Sequence, residues 1–155
     1  MHQNQPFYNK GLSFSCTRCS ACCRYESGFV FLSESDITLL AGELKMTIER
    51  FMKAYCRWIP SEENSERLSL REKSNFDCIL WDSGCKVYNS RPLQCQAFPF
   101  WPNVLKFEES WAWTGESCPG INQGKLHNKQ EIEKILRSQA IKPIISRKAL
   151  NARWS

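Results

Sequence analysis

The chain of 155 residues lacks several things that would place it quickly. No apolar run approaches the ~18 residues needed to span a bilayer, so no membrane segment is expected. The opening stretch MHQNQPFYNK has no apolar h-region, which argues against a secretory signal and for a cytoplasmic setting with reduced thiols. Histidine is scarce. His2 lies in the polar N-terminal segment and His127 in a polar connector, both expected to be solvated. There is no H-E-x-x-H, no P-loop, no G-x-G-x-x-G and no G-x-S-x-G, so zincin, P-loop, dinucleotide and serine-hydrolase chemistry have no motif to stand on. No internal repeat and no low-complexity segment is present.

Cysteine, by contrast, is abundant. Nine cysteines in a chain of one-domain length imply either a disulfide framework or a metal site, and an odd number cannot pair completely. Cys16, Cys19, Cys22 and Cys23 fall within eight residues as C-x2-C-x2-C-C. Thiolates are soft anionic ligands, and cysteines three apart in a tight turn can aim two sulfurs at one metal. This stretch reads as a metal site.

Net charge is +5 but unevenly placed. Residues 122–155 hold eight Lys/Arg against Glu131 and Glu133, while residues 1–121 hold 13 basic and 14 acidic residues. Basicity is a property of the C-terminal segment, for which a solvated helix is the preferred reading over a nucleic-acid surface. The six tryptophans are not interleaved with the basic residues as a single-strand binder would have them.

Periodicity predicts a small irregular α+β domain. Residues 1–13 form a loosely ordered polar segment. Gly28–Leu32 reads as a short strand. Ser33-x-x-Asp36 is a capping box for a helix with Ile37, Leu40 and Leu44 on one face. Thr47 caps a second helix with Ile48, Phe51, Met52 and Tyr55 at i, i+3, i+4 and i+7. Cys56 ends it as a buried structural thiol. Residues 60–67 read as a polar loop, with a strand at Leu68 and Leu70. Asn75–Asp82 and Cys85–Tyr88 read as a hairpin turning at Asp82-Ser83-Gly84, which would bring Cys78 and Cys85 together. Ser90 and Pro92 open a helical turn, residues 104–113 form another hairpin, and Lys129–Ala140 form a helix ended by Pro143. Trp81, Trp101, Trp111, Trp113, Phe98 and Phe100 are expected to pack around the sulfurs.

Three motifs occur in order. They are Cys16-x2-Cys19-x2-Cys22-Cys23, then Cys78 through Gly84-Cys85-x2-Tyr88-x2-Arg91-Pro92-x2-Cys95-x2-Phe98-Pro99-Phe100, then Cys118-Pro119-Gly120. Together they resemble the YkgJ-type cysteine-cluster family of zinc- or iron-chelating (CxxCxxCC) domains, over about residues 14–121. The resemblance implies a metal-chelating domain at 14–121, between the polar segment 1–13 and a basic helical tail at 122–155. It also implies a ligand set of Cys16, Cys19, Cys22, Cys23, Cys78, Cys85, Cys95 and Cys118. Flagellin lysine N-methylases contain similar domains, so a metal-dependent protein-modifying enzyme is an alternative class, and thiol redox work is a third. Two positions depart from the family pattern. Ser20 stands where glycine is frequent and Gln96 where arginine is frequent.

Eight cysteines exceed the four of one tetrahedral zinc, and adjacent side chains tend to diverge, so two centres, one larger cluster or a spare thiol are all open. The x2, x2 spacing with a distant fourth ligand places iron, as a 4Fe–4S cluster, ahead of zinc. Arg18, Arg24, Lys86 and Arg91 are the cations nearest in sequence to offset thiolate charge, and Arg91 could instead bind an anionic substrate or form a structural salt bridge. A metal ion is the expected partner. A protein partner is compatible, and no membrane is expected.

Overall fold

A computed structural model describes residues 4–24, 27–62 and 64–154. His2 lies outside them. The elements in chain order are β1 (Leu12–Phe14), α1 (Glu34–Glu43), α2 (Ile48–Tyr55), β2 (Cys56–Ser61), β3 (Ser65–Leu70), α3 (Leu93–Ala97), α4 (Glu108–Gly115), β4 (Ile121–His127), α5 (Lys129–Ile141) and α6 (Arg147–Trp154), with short 3-10 turns between them. The architecture is α+β, with helices beside two antiparallel strand pairs, β1–β4 and β2–β3. The chain divides into two compact units. One comprises residues 1–21 and 97–141, the other residues 22–96 and 142–155.

The second unit is built on α1, α2 and the β2–β3 hairpin. Ser33 and Asp36 form the capping box at the start of α1, and the Thr47 side chain accepts from the Arg50 amide at the start of α2, as the sequence predicts. Ile37, Leu40 and Ala41 of α1 and Phe51 of α2 are buried with Leu32, Leu68, Leu70, Leu80, Val87 and Ile145. Ile48, at the edge of the α2 stripe, is exposed. The predicted loop at 60–67 is instead hairpin. Cys56 to Ser61 pairs with Leu70 to Ser65, with Glu62 in a turn and Asn64 in the left-handed region. Polar composition marks a solvated face here, not an absence of strand.

The stretch Gly28–Leu32 does not form a strand. It runs beside β3 through Leu32 N to Leu68 O and Leu70 N to Val30 O, but the Val30 amide donates to Ser69 Oγ and the Phe31 amide to Gln94 Oε1. Side chains have taken the donors that a regular ladder needs. Residues 75–88 likewise make only single bridges, Glu72 to Cys78 and Trp81 to Cys85, about the predicted turn.

The first unit has its own core of Phe100, Val104, Leu105, Trp111, Cys118, Ile121 and Ile132. Residues 1–3 of the N-terminal segment lie outside the described residues, and residues 4–13 are more ordered than expected, with a 3-10 turn over Phe7–Lys10 leading into β1, which pairs with β4. The predicted hairpin at 104–113 is the helix α4. Glu108 and Glu109 occupy its first turn, where they favour the positive helix end, and Trp111 is buried while Trp113 is 73% exposed. α5 forms as predicted, with Asn128 and Glu131 exchanging hydrogen bonds at its start. His127 is half-buried, with Nε2 3.0 Å from the Phe14 carbonyl and its ring against Phe100, so it is not a solvated residue. Of the basic residues of 122–154, Lys142 lies between α5 and α6 and the others lie in β4, α5 and α6. Arg147 pairs with Glu66 at 2.9 Å and lies over the Trp58 ring. Among the described residues no helix is long and apolar enough to cross a membrane.

Candidate metal centre

Five of the eight motif cysteines fall in the second unit, and its loops gather them. Cys22 and Cys23 end a 3-10 turn, Ala21–Cys23, with their Sγ atoms 3.7 Å apart. The Cys78 amide donates to the Cys23 carbonyl at 2.8 Å, which fastens the second motif to this end of the first. Beside that link, Arg24 Nε donates to the nearly buried Asp77 carboxylate at 3.0 Å, and the guanidinium lies 3.8 Å from the Trp81 ring centroid. Ser83 (φ 54°) and Gly84 (φ 135°) then reverse the chain so that Cys85 bridges Trp81. Cys95 sits in α3, whose Leu93 amide donates to Asp36 Oδ1 at 3.0 Å. The α1 capping carboxylate therefore also positions the Cys95 turn.

Cys22, Cys23, Cys78 and Cys95 each lie within charge range of the other three, and Cys85 within range of Cys22, Cys78 and Cys95. The hydrogen bond from Cys23 lowers the Cys22 thiol to about 7, with its own amide and Arg91 assisting against desolvation. Cys23 is pushed up by giving that hydrogen bond, then by burial and the surrounding sulfurs. Burial is the leading cause that raises Cys78, Cys85 and Cys95. Opposing it, the Leu80 amide points at the Cys78 sulfur and the Val87 amide at the Cys85 sulfur, each two residues on. Such amides stabilise thiolate and are the outer hydrogen bonds that metal–sulfur sites use.

Among the described residues Arg91 makes no ion pair. Its Nε donates to the Tyr88 carbonyl at 2.9 Å, its guanidinium lies over the Tyr88 ring, and its charge favours thiolate at Cys22, Cys85 and Cys95. Gln96, the departure from the family pattern, donates to the Arg91 carbonyl at 2.6 Å. Of the other expected cations, Arg24 pairs with Asp77 and Lys86 reaches Asp82 at 4.0 Å. Lys73, which no motif flagged, favours thiolate at Cys78 and donates to the Trp81 carbonyl at 2.6 Å. It stands five residues before Cys78, outside the quoted motifs.

The remaining three motif cysteines belong to the first unit. Cys16 and Cys19 are exposed on a segment with left-handed residues at Arg18 (φ 56°) and Ser20 (φ 69°), and the Arg18 amide donates to Cys16 Sγ at 3.4 Å. Cys118 is buried in the aromatic cluster with Phe98, Phe100, Trp101 and Trp111 around it. Gly120 explains itself here. A Cβ would collide with the Ser15 carbonyl, and the Gly120 carbonyl accepts from the Ser15 amide at 3.3 Å, so the third motif docks on the residue before Cys16. Trp113, mostly exposed, does not join the packing expected of it. Cys56 is 3% exposed in the other core, and burial raises its thiol to about 12 with Arg71 opposing and no sulfur contributing.

Among the described residues, no three His, Cys, Asp or Glu side chains stand ready to hold an ion. The donor set nevertheless fits a soft cation. Five sulfurs converge, amides face two of them, and burial makes each thiolate costly until a positive charge joins it.

The chain belongs to the family described as "CxxCxxCC: Putative zinc- or iron-chelating domain", whose model matches residues 15–119. It is also similar to two curated proteins of Methanocaldococcus jannaschii. Uncharacterized protein MJ0661 is 29% identical over 96 residues, covering 60% of this chain and 48% of that protein. Uncharacterized protein MJ0939 is 27% identical over 139 residues, covering 81% of this chain and 43% of that protein. The chain thus spans less than half the length of either relative. No solved structure matches.

Proposed function

We propose that this chain is a cytoplasmic thiolate metal-binding protein, with iron or zinc held through its motif cysteines within residues 14–121. Cys22, Cys23, Cys78, Cys85 and Cys95 form the principal donor group, and Cys16, Cys19 and Cys118 form a second set of thiols in the other unit. The observation that carries this reading is the gathering of five sulfurs in one compact unit, with the Leu80 and Val87 amides and the Arg91 and Lys73 charges directed at them. These amides and cations oppose the burial that raises most of the group, and thiolate is the form that binds metal.

The bound cation supplies positive charge to a group of sulfurs that burial otherwise keeps protonated. The chain's own residues do the rest. Arg24 and Asp77 hold the Cys22–Cys23 turn against Cys78, Asp36 orients the helical turn of Cys95, and the protons of the ligating thiols leave to solvent as metal binds.

Anaerobic purification followed by metal analysis and a visible spectrum tests the proposal. Bound iron with thiolate or sulfide absorption supports an iron centre, of which a 4Fe–4S cluster is one form. Stoichiometric colourless zinc supports a zinc centre. A preparation that holds neither metal, and whose stability no chelator changes, overturns the proposal.

A further inference from the structure

The separation of the two adjacent sulfurs carries further than the motif does. Consecutive residues ordinarily send side chains apart, which would let Cys22 and Cys23 serve different centres. In this chain their Sγ atoms are 3.7 Å apart. Two sulfurs bound to one ion at about 2.3 Å, with the tetrahedral angle between them, stand about 3.8 Å from each other. The turn Ala21–Cys23 thus presents one edge of a tetrahedral thiolate site. A cubane cluster takes one cysteine on each of four irons, so a pair this close suits two ligands on one metal ion instead.

We propose that Cys22 and Cys23 chelate a single metal ion together, as adjacent ligands of a four-thiolate site closed by Cys78 and Cys95. This rests on the metal-binding reading above and names the form of its centre. Cys78 is tied to the pair through its amide on the Cys23 carbonyl, and Cys78 and Cys95 are the sulfurs, besides Cys22, whose charge reaches Cys23. Cys22 is exposed and Cys23 half-buried, so the ion enters past Cys22 and is held on the inner side by Cys23. Each thiol gives up one proton to solvent as its bond to the metal forms, and no electron changes hands.

Anaerobic titration of the full chain with cobalt(II) reads ligand number directly from the visible spectrum. The intense ligand-field bands of a tetrahedral four-thiolate site are expected. Cys22→Ser and Cys23→Ser should each shift those bands to higher energy and weaken the sulfur-to-cobalt charge transfer. Cys56→Ala, which removes a thiol outside the group, should leave them unchanged. If the wild-type chain takes up no cobalt, the metal-binding reading falls and the chelating pair falls with it. If it takes up cobalt but either serine variant gives the wild-type spectrum, only the chelating pair falls. A measurement on the unaltered chain guards against variants that misfold. Loaded with cadmium-113, one cadmium resonance should couple to the β-protons of both Cys22 and Cys23. Coupling to one cysteine of the pair alone, or to the two from separate cadmium resonances, overturns the proposal.

Discussion

Ser20 carries a backbone φ of 69°, a left-handed conformation that crowds any residue with a Cβ. Ser20→Gly should relieve the crowding while adding unfolded-state entropy, for a net gain of about 0.5–1 kcal/mol, read as a higher urea midpoint. At Cys22, the hydrogen bond from Cys23 and the Arg91 charge lower the thiol to about 7. Its alkylation rate in metal-free protein should therefore rise through about pH 7, below an ordinary thiol near 8.5. In Arg91→Gln the midpoint should move upward, and peptide mapping of a pH series would show it. The sequence marked Arg91 as a cation near thiolates. It could not say which sulfurs the charge reaches, because that depends on how the Tyr88–Ser90 turn aims the guanidinium.

Elements with local punctuation were legible. The Ser33–Asp36 box, the Thr47 cap and the stripe of α5 each follow from side chains within four residues of one another, and all three helices form. Elements whose pattern depends on distant partners were not. α4 reads as a hairpin because Trp and Phe favour strands, yet Trp111 finds its partners in Phe100 and Asn122, the latter through an Nε1 hydrogen bond of 2.9 Å. β4 was missed because five of its seven residues are exposed, three of them polar and one a glycine, and it exists only by pairing with β1. At that pairing Gly120 has no room for a side chain. Gly120→Ala should cost about 1–3 kcal/mol by forcing the Ser15 backbone away, measurable by thermal unfolding. Loosened Cys16 and Cys19 should then react faster with alkylating reagents.

At the scale of the molecule, metal and proton compete for the same sulfurs. In metal-free protein the thiols of Cys23, Cys78, Cys85 and Cys95 are raised, chiefly by burial in three of them and by the Cys22 hydrogen bond in Cys23. A raised folded pKa contributes stability that is whole below the unfolded pKa and lost as pH climbs through the folded one. Denaturation midpoints of the metal-free chain should therefore fall from about pH 8.5 upward. With metal bound the dependence should reverse, because protons displace the ion as pH falls. A metal held at 100 times its Kd adds about 2.7 kcal/mol, so a chelator should lower the unfolding midpoint accordingly. Hydrogen exchange should locate that loss at residues 76–88, with α5 little changed. The sequence by itself determined the chemistry, since eight cysteines in ordered motifs are soft-metal donors whatever fold carries them. It also determined the capped helices, whose signals are local. Tertiary structure decided which sulfurs meet. Cys22 and Cys23 join Cys78, Cys85 and Cys95 in one unit, while Cys16, Cys19 and Cys118 go to the other. That division depends on contacts as remote as Asp36 with Leu93 and Ser15 with Gly120, which no spacing along the chain encodes.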